Sequence, residues 1–437
     1  MTLLLKNARL LRDGELKEFN LLCDAKIKKV SRQEINAPFD EKLECGKTSF
    51  ILLPGVIDSH VHFRSAGARG SQWDYKEDFA SGGAAAAAGG VTTVCDMPNC
   101  VPPTTTAARL KEKLEAARRR GGCVVNYYAH FGIESKNSET VNAAEAKKAE
   151  NDFVGLKVFM GSSTGSLLVQ GEALEAAFAL AADLKKRVLV HAELESLVKH
   201  FKETALKEGV TDHNRVRPTK CALEATREAL RLAEKHKTRL HICHLNCAEE
   251  VVLVSEAKKK GVAVSTEATP HHLFLNSEEA ARIGNNAKVN PPIRCENDRA
   301  AVFRAFADGF IDMVASDHAP HAEHEKQLDY WKAPSGFPGV ETMLPLLLNA
   351  VNEKKLSLQR VVQAASAAPA RINGFDDKGV IAVGKDADFA LVDLKLERKV
   401  RGEDLHGKSK WTPFEGRVLR GWPVATISSG EIVFERE

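Results

Sequence analysis

Between residues 55 and about 320 of this 437-residue chain, eight short β-rich runs alternate with helical stretches, and no other feature restricts the fold as much. The runs are 56–62, 91–97, 124–131, 153–160, 187–193, 239–245, 262–268 and 312–317. Strands joined through helices return to the same end of the sheet and must pair in parallel. Segments 106–120 and 221–235 carry apolar residues at three- and four-residue spacing among good helix formers, as an outer ring of helices requires. Eight such units imply an α/β protein of the (β/α)8 TIM-type barrel class, assigned here to residues 55–374. Residues 1–54 and 375–437 instead read as short strands punctuated by Gly, Asp and Lys. They are expected to join in one small composite β-sandwich domain, since chain termini tend to meet at the surface. The Ala-rich stretch bracketed by Gly82-Gly83 and Gly89-Gly90 reads as one closely packed helix.

Composition narrows the function. A net charge of +3 is small for this length, and the one basic run, Arg118-Arg119-Arg120, suits the C-terminal end of a helix. No nucleic-acid or membrane partner is expected. Nine cysteines lie scattered without a paired framework or a zinc-ribbon spacing, which points to a reducing compartment. No segment approaches ~18 consecutive apolar residues and the N-terminus lacks the order of a signal peptide, so a cytoplasmic location is expected.

The chemistry lies in polar residues where apolar strands end. Asp58-Ser59-His60-Val61-His62-Phe63-Arg64 follows the apolar run 51–57, which reads as a strand buried on both faces. Alternate strand residues share a face, so both imidazoles aim at one spot at the emerging end of a barrel strand. The fourth strand holds a single lysine, Lys157, among apolar neighbours. A buried ammonium is costly; it either snorkels or pairs with a carboxylate, or it is neutral and takes up carbon dioxide to become an anionic carbamate. The fifth strand ends in His191. The sixth ends in His241-Ile242-Cys243-His244, where His244 is the better ligand and His241 a supporting residue. The eighth ends in Asp317, able to hold a metal and to carry a proton, with His321 four residues on. Four imidazoles, one carboxylate and one potential carbamate suit Zn²⁺ better than calcium or a structural zinc. Two ions bridged by hydroxide would drive metal-assisted hydrolysis.

At this level of detail the chain resembles the amidohydrolase superfamily, and more narrowly its dihydroorotase branch, over nearly its whole length. The resemblance rests on the first His-x-His run, Asp96-Met97-Pro98-Asn99, Ala268-Thr269-Pro270-His271-His272-Leu273, Val289-Asn290-Pro291-Pro292-Ile293-Arg294 and Ser316-Asp317-His318-Ala319-Pro320-His321. It implies that His60, His62, Asp317 and Lys157 as a carbamate hold one zinc, and that Lys157, His191 and His244 hold the other. It also implies Asp317 as general base and acid, and dihydroorotate, interconverted with N-carbamoyl-L-aspartate, as substrate. Arg64, Asn99 and His321 would then hold the exocyclic carboxylate, with Asn290 and the Gly336 loop against the ring. The planar fork of Arg64 matches a carboxylate. The other enzyme reading is a dihydropyrimidinase-, hydantoinase- or allantoinase-like hydrolase of uncharged rings, and from a different class comes a non-catalytic scaffold. Many relatives continue with Glu-Pro-Gly where this chain has Ser65-Ala66-Gly67. His271 and His272, on opposite faces if extended, are assigned no catalytic role. A homodimer is expected, because closed two-fold assemblies are the commonest oligomers.

Overall fold

A computed structural model describes residues 1–135, 139–162, 167–205 and 212–436. Eight strands form the barrel: Val56–Val61, Val91–Asp96, Asn126–Ala129 continued by Phe131–Gly132, Gly155–Phe159, Arg187–His191, Arg239–Ile242, Val264–Ala268 and Met313–Val314. Pairing is parallel throughout. The ring closes where Val61 pairs with His318 and the His62 N–H donates to the His318 carbonyl at 2.8 Å. The Ser316 N–H adds a bond to Asp58 Oδ1 at 3.0 Å across the same seam.

Two strands depart from the sequence reading. The third is broken at His130, whose N–H still bonds the Asp96 carbonyl at 2.9 Å and keeps the register. The eighth shrinks to Met313–Val314, because the chain turns at once into the segment that closes the seam. The apolar run 51–57 is also two strands rather than one. Phe50–Pro54 belongs to an antiparallel sheet and Val56–Val61 to the barrel, with the break at Gly55, where a Cβ would lie 2.1 Å from Thr92 Oγ1.

The termini meet in a β-sandwich. One sheet orders Ile27–Ser31, Glu15–Cys23, Leu3–Arg12 and Glu41–Glu44; the other orders Glu431–Glu435, Val418–Ser428, Phe389–Lys399 and Phe50–Pro54. Leu3, Leu5, Leu10 and Leu21 of the first pack with Leu52, Phe389, Leu391 and Ile427 of the second. The opposite pleat, Ile51, Leu53, Ala390 and Val392, joins the barrel's hydrophobic cluster. Period two thus welds the two cores through one shared sheet.

The Ala-rich helix forms over Phe79–Ala88, with Asp78 and Ser81 making a reciprocal N-terminal cap. Its Gly82 lies against the Phe63 ring, where a Cβ would come within 2.7 Å. That helix therefore braces the turn that follows His62.

Candidate active site

Five predicted ligands converge at the C-terminal ends of the strands. His60 lies inside the first strand and His62 one residue past its end, with ring centroids 5.2 Å apart. Asp317, in a left-handed turn after the eighth strand, places Oδ1 3.0 Å from His62 Nε2 and 3.4 Å from His60 Nε2. These three offer ligand atoms within 4.8 Å of one another. His244 falls beyond the end of the sixth strand with φ +37°, so strand alternation no longer sets its direction. Its ring lies 5.6 Å from His60 and 4.8 Å from His191, the last residue of the fifth strand. His191 Nδ1 and His244 Nε2 are 3.0 Å apart.

Lys157, the sixth predicted ligand, is fully buried in the fourth strand. Its ammonium donates to Cys243 Sγ at 3.2 Å and lies 5.0 Å from the Phe159 ring centre. It neither snorkels nor forms an ion pair with any described carboxylate. Its charge reaches His60, His191 and His244, disfavouring the protonated form of each.

Electrostatics separate the first pair. Burial opposes charge on His60, but the Glu267 and Asp317 carboxylates outweigh it and raise the imidazole to about 10. Burial wins at His62 despite Asp317, and holds it near 4. Burial would raise Asp317, yet His60 and His62 overcome that and keep it ionised, below the usual carboxylate range.

Around the cluster lie partners that fix the imidazoles. Glu267 Oε1 is 2.5 Å from His60 Nδ1, and its Oε2 is 3.0 Å from His241 Nε2. Glu193 Oε2 lies 3.1 Å from His191 Nε2 and pairs with Arg217. His62 Nδ1 lies 2.6 Å from Asn99 Oδ1. For His60, His62 and His191 the contact takes one ring nitrogen and leaves the other turned toward the cluster. Glu267 is absent from the sequence reading, although a carboxylate inside the fully buried strand Val264–Ala268 is as anomalous as Lys157. His241 is the supporting residue expected of it, bonded to Glu267 and to Ser265 Oγ at 2.9 Å. His271 and His272 are not extended: they sit in the short helix Pro270–Phe274 and share Thr269 Oγ1.

Arg64 lies two residues past His62 at φ +62° and is 2% exposed. Its Nε donates to the Pro320 carbonyl at 3.2 Å, Nη2 is 3.3 Å from His321 Nε2, and Nη1 has no hydrogen-bond partner among the described residues. No described carboxylate forms an ion pair with it, and burial lowers it to about 10, still charged at neutral pH. His321 is held neutral by burial, near 3, and its Nε2 also lies 3.1 Å from the Ser335 carbonyl. Asn290 Oδ1 accepts from His213 Nε2 at 3.0 Å and from Ser335 Oγ at 3.3 Å. Gly336, at φ +124°, follows Ser335, and a Cβ there would meet the Ala319 carbonyl at 2.6 Å. Arg64, His321, Asn290 and the Gly336 loop therefore form one connected wall.

Imidazole nitrogens and a carboxylate oxygen so close together suit a divalent cation of zinc type. Such a donor set at the mouth of a (β/α)8 barrel defines a metal-dependent barrel hydrolase. More narrowly, the chain belongs to the amidohydrolase family, whose pattern it matches over residues 51–433. It is 36% identical to a dihydroorotase of Methanosarcina acetivorans over 98% of its length and 91% of that protein's. A dihydroorotase of Halobacterium salinarum is 39% identical over 88% of this chain and 86% of the relative. Among solved structures, the L-hydantoinase (dihydropyrimidinase) of Arthrobacter aurescens superposes with a TM-score of 0.91 at 30% identity, covering 99% of this chain and 96% of that one.

Proposed function

We propose that this protein is a dihydroorotase, interconverting the cyclic amide L-dihydroorotate and N-carbamoyl-L-aspartate. One observation carries the choice over hydrolysis of uncharged rings. Arg64 is a buried guanidinium beside the ligand cluster, with one nitrogen unbonded and no carboxylate counter-ion among the described residues. The Trp73 ring 5.9 Å away and more distant carboxylates offset only part of that burial, and a substrate carboxylate would supply the direct ion pair that is missing among the described residues. The dihydroorotases among the relatives support the same reading.

In this reading His60, His62, Lys157 as a carbamate and Asp317 hold one zinc, and Lys157, His191 and His244 hold the other. Bound there, zinc would supply Lewis-acid polarisation of an amide carbonyl and a water-derived nucleophile at neutral pH. Asp317, ionised and with its Oδ1 turned to His60 and His62, would take the proton of the attacking water on its carboxylate and return it to the departing ring nitrogen. Arg64, with Asn99 and His321, fixes the exocyclic carboxylate, which orients the amide toward Asp317. Asn290 and the Gly336 loop bear on the ring. Glu267, Glu193 and Asn99 hold the imidazoles in the tautomers that coordination requires.

Purified protein reconstituted with zinc and bicarbonate should interconvert the two compounds in both directions. Absence of turnover with dihydroorotate, alongside turnover of an uncharged cyclic imide, would move the assignment to the hydantoinase type. The proposal includes a homodimer in the cytoplasm, tested by sedimentation and by localising a tagged copy.

A further inference from the structure

Lys113 is the second fully buried lysine beside the site, and the mechanism above makes no use of it. It lies in the helix Ala107–Arg118, outside the barrel wall, where an apolar residue would ordinarily pack. Its ammonium is 2.8 Å from Asp96 Oδ2, donates to the Met97 carbonyl at 3.0 Å and lies 3.8 Å from Cys100 Sγ. Three acceptors match its three hydrogens. Burial opposes the charge but Asp96 and Cys100 more than restore it, so the group stays protonated. Replacing such an ion pair with apolar residues is often neutral or stabilising, so bulk stability does not account for it.

Its contacts lead to both sides of the proposed carboxylate pocket. Asp96 Oδ2 also accepts from Tyr127 Oη at 2.6 Å, while Oδ1 accepts from the Phe63 N–H at 3.0 Å. That amide immediately precedes Arg64, whose left-handed backbone is strained for a residue with a side chain and must be held in place. The Ser65 N–H closes the same turn onto the Phe63 carbonyl at 2.6 Å. On the other side, the Met97 N–H is fixed to the Val61 carbonyl at 2.8 Å and its carbonyl to Lys113, which sets where Pro98-Asn99 leaves the strand. One ammonium thus ties the Arg64 turn to the Asn99 loop.

We propose that Lys113, acting through Asp96, is a positioning residue that sets Arg64 and Asn99 for the substrate carboxylate without touching substrate or metal. The inference rests on the dihydroorotase reading. Its test is Lys113→Met in the zinc-loaded enzyme, with kcat, KM and metal content measured together. KM for dihydroorotate should rise roughly tenfold or more, as loss of alignment on a charged hydrogen bond predicts, while kcat stays within about threefold. Metal content should match that of the wild type. If leaving Asp96 unpaired prevents folding, Asp96→Asn combined with Lys113→Met leaves no buried charge and still accepts the Phe63 amide. This double variant should fold and keep the raised KM. An unchanged KM, or a fall in kcat or metal content with KM unmoved, overturns the proposal. A wild-type enzyme inert toward dihydroorotate overturns the reading of the whole site and this inference with it.

Discussion

Changing Arg64 to methionine separates recognition of a charged substrate from catalysis and from folding. Nε is spent on the Pro320 carbonyl, so the Nη1 and Nη2 edge is what remains for a ligand. Charge-assisted hydrogen bonds contribute about 1.5–3 kcal/mol each, and two of them imperfectly replaced by water put the loss near 3 kcal/mol. At 1.36 kcal/mol per decade, kcat/KM for dihydroorotate falls about 150-fold. Stability should move little. The variant removes a buried cation that has no ion-pair partner among the described residues, a gain, and leaves the Pro320 carbonyl without its donor, a cost of about 1–3 kcal/mol that offsets it. The left-handed backbone at this position is as strained for Met as for Arg. The assay is steady-state kinetics together with zinc content and a denaturant midpoint. A fall of less than about tenfold, or an equal fall accompanied by loss of zinc, would refute the counter-ion argument.

Two further outcomes concern the wall beside Arg64. Lys326 is 3% exposed and donates to the Pro334 and Gly336 carbonyls at 2.8 and 3.0 Å, and burial together with Lys288 lowers it to about 7 from 10.5. The unfolded chain therefore binds more protons between pH 7 and about 10, so stability rises with pH across that window, by a few kcal/mol at most. Urea midpoints at pH 7 and 9 should show the rise in the wild type and a flatter response in Lys326→Met. Gly336→Ala places a Cβ 2.6 Å from the Ala319 carbonyl at φ +124°, and should cost a few kcal/mol in a thermal melt and lower turnover by displacing the loop against His321.

Much of this architecture is legible in the chain because the barrel imposes two readable periods. Apolar strand runs alternate with helical spacing, and a polar residue at the end of such a run stands out. His60, His62, His191, His244 and Asp317 were recognisable that way, and Lys157 by its isolation among apolar neighbours. Where one apolar run divides between two sheets, composition is silent. Residues 51–57 are apolar throughout, yet Ile51 and Leu53 face the barrel, Leu52 faces the sandwich, and the next strand begins after Gly55. The Thr269-Pro270 pair did hold a helix signal, since Pro suits the first turn, and it outweighs extension of His271 and His272. Glu267 stands out only as a carboxylate inside a buried strand, and Lys113 reads as an ordinary helix lysine; the fold alone shows that His60 and Asp96 match those buried charges.

Six side chains from distant segments gathered around a pair of cations form the central claim. The most direct measurement is metal content per chain with anomalous scattering from crystals of the zinc-loaded enzyme, for the wild type and for Lys157→Ala. The account predicts two zinc ions in the wild type, one against His60, His62 and Asp317 and one against His191 and His244, with density for a carbamate on Lys157 joining them. It predicts loss of at least one ion in the variant. Full metal content in Lys157→Ala, or zinc bound away from these residues, would contradict it.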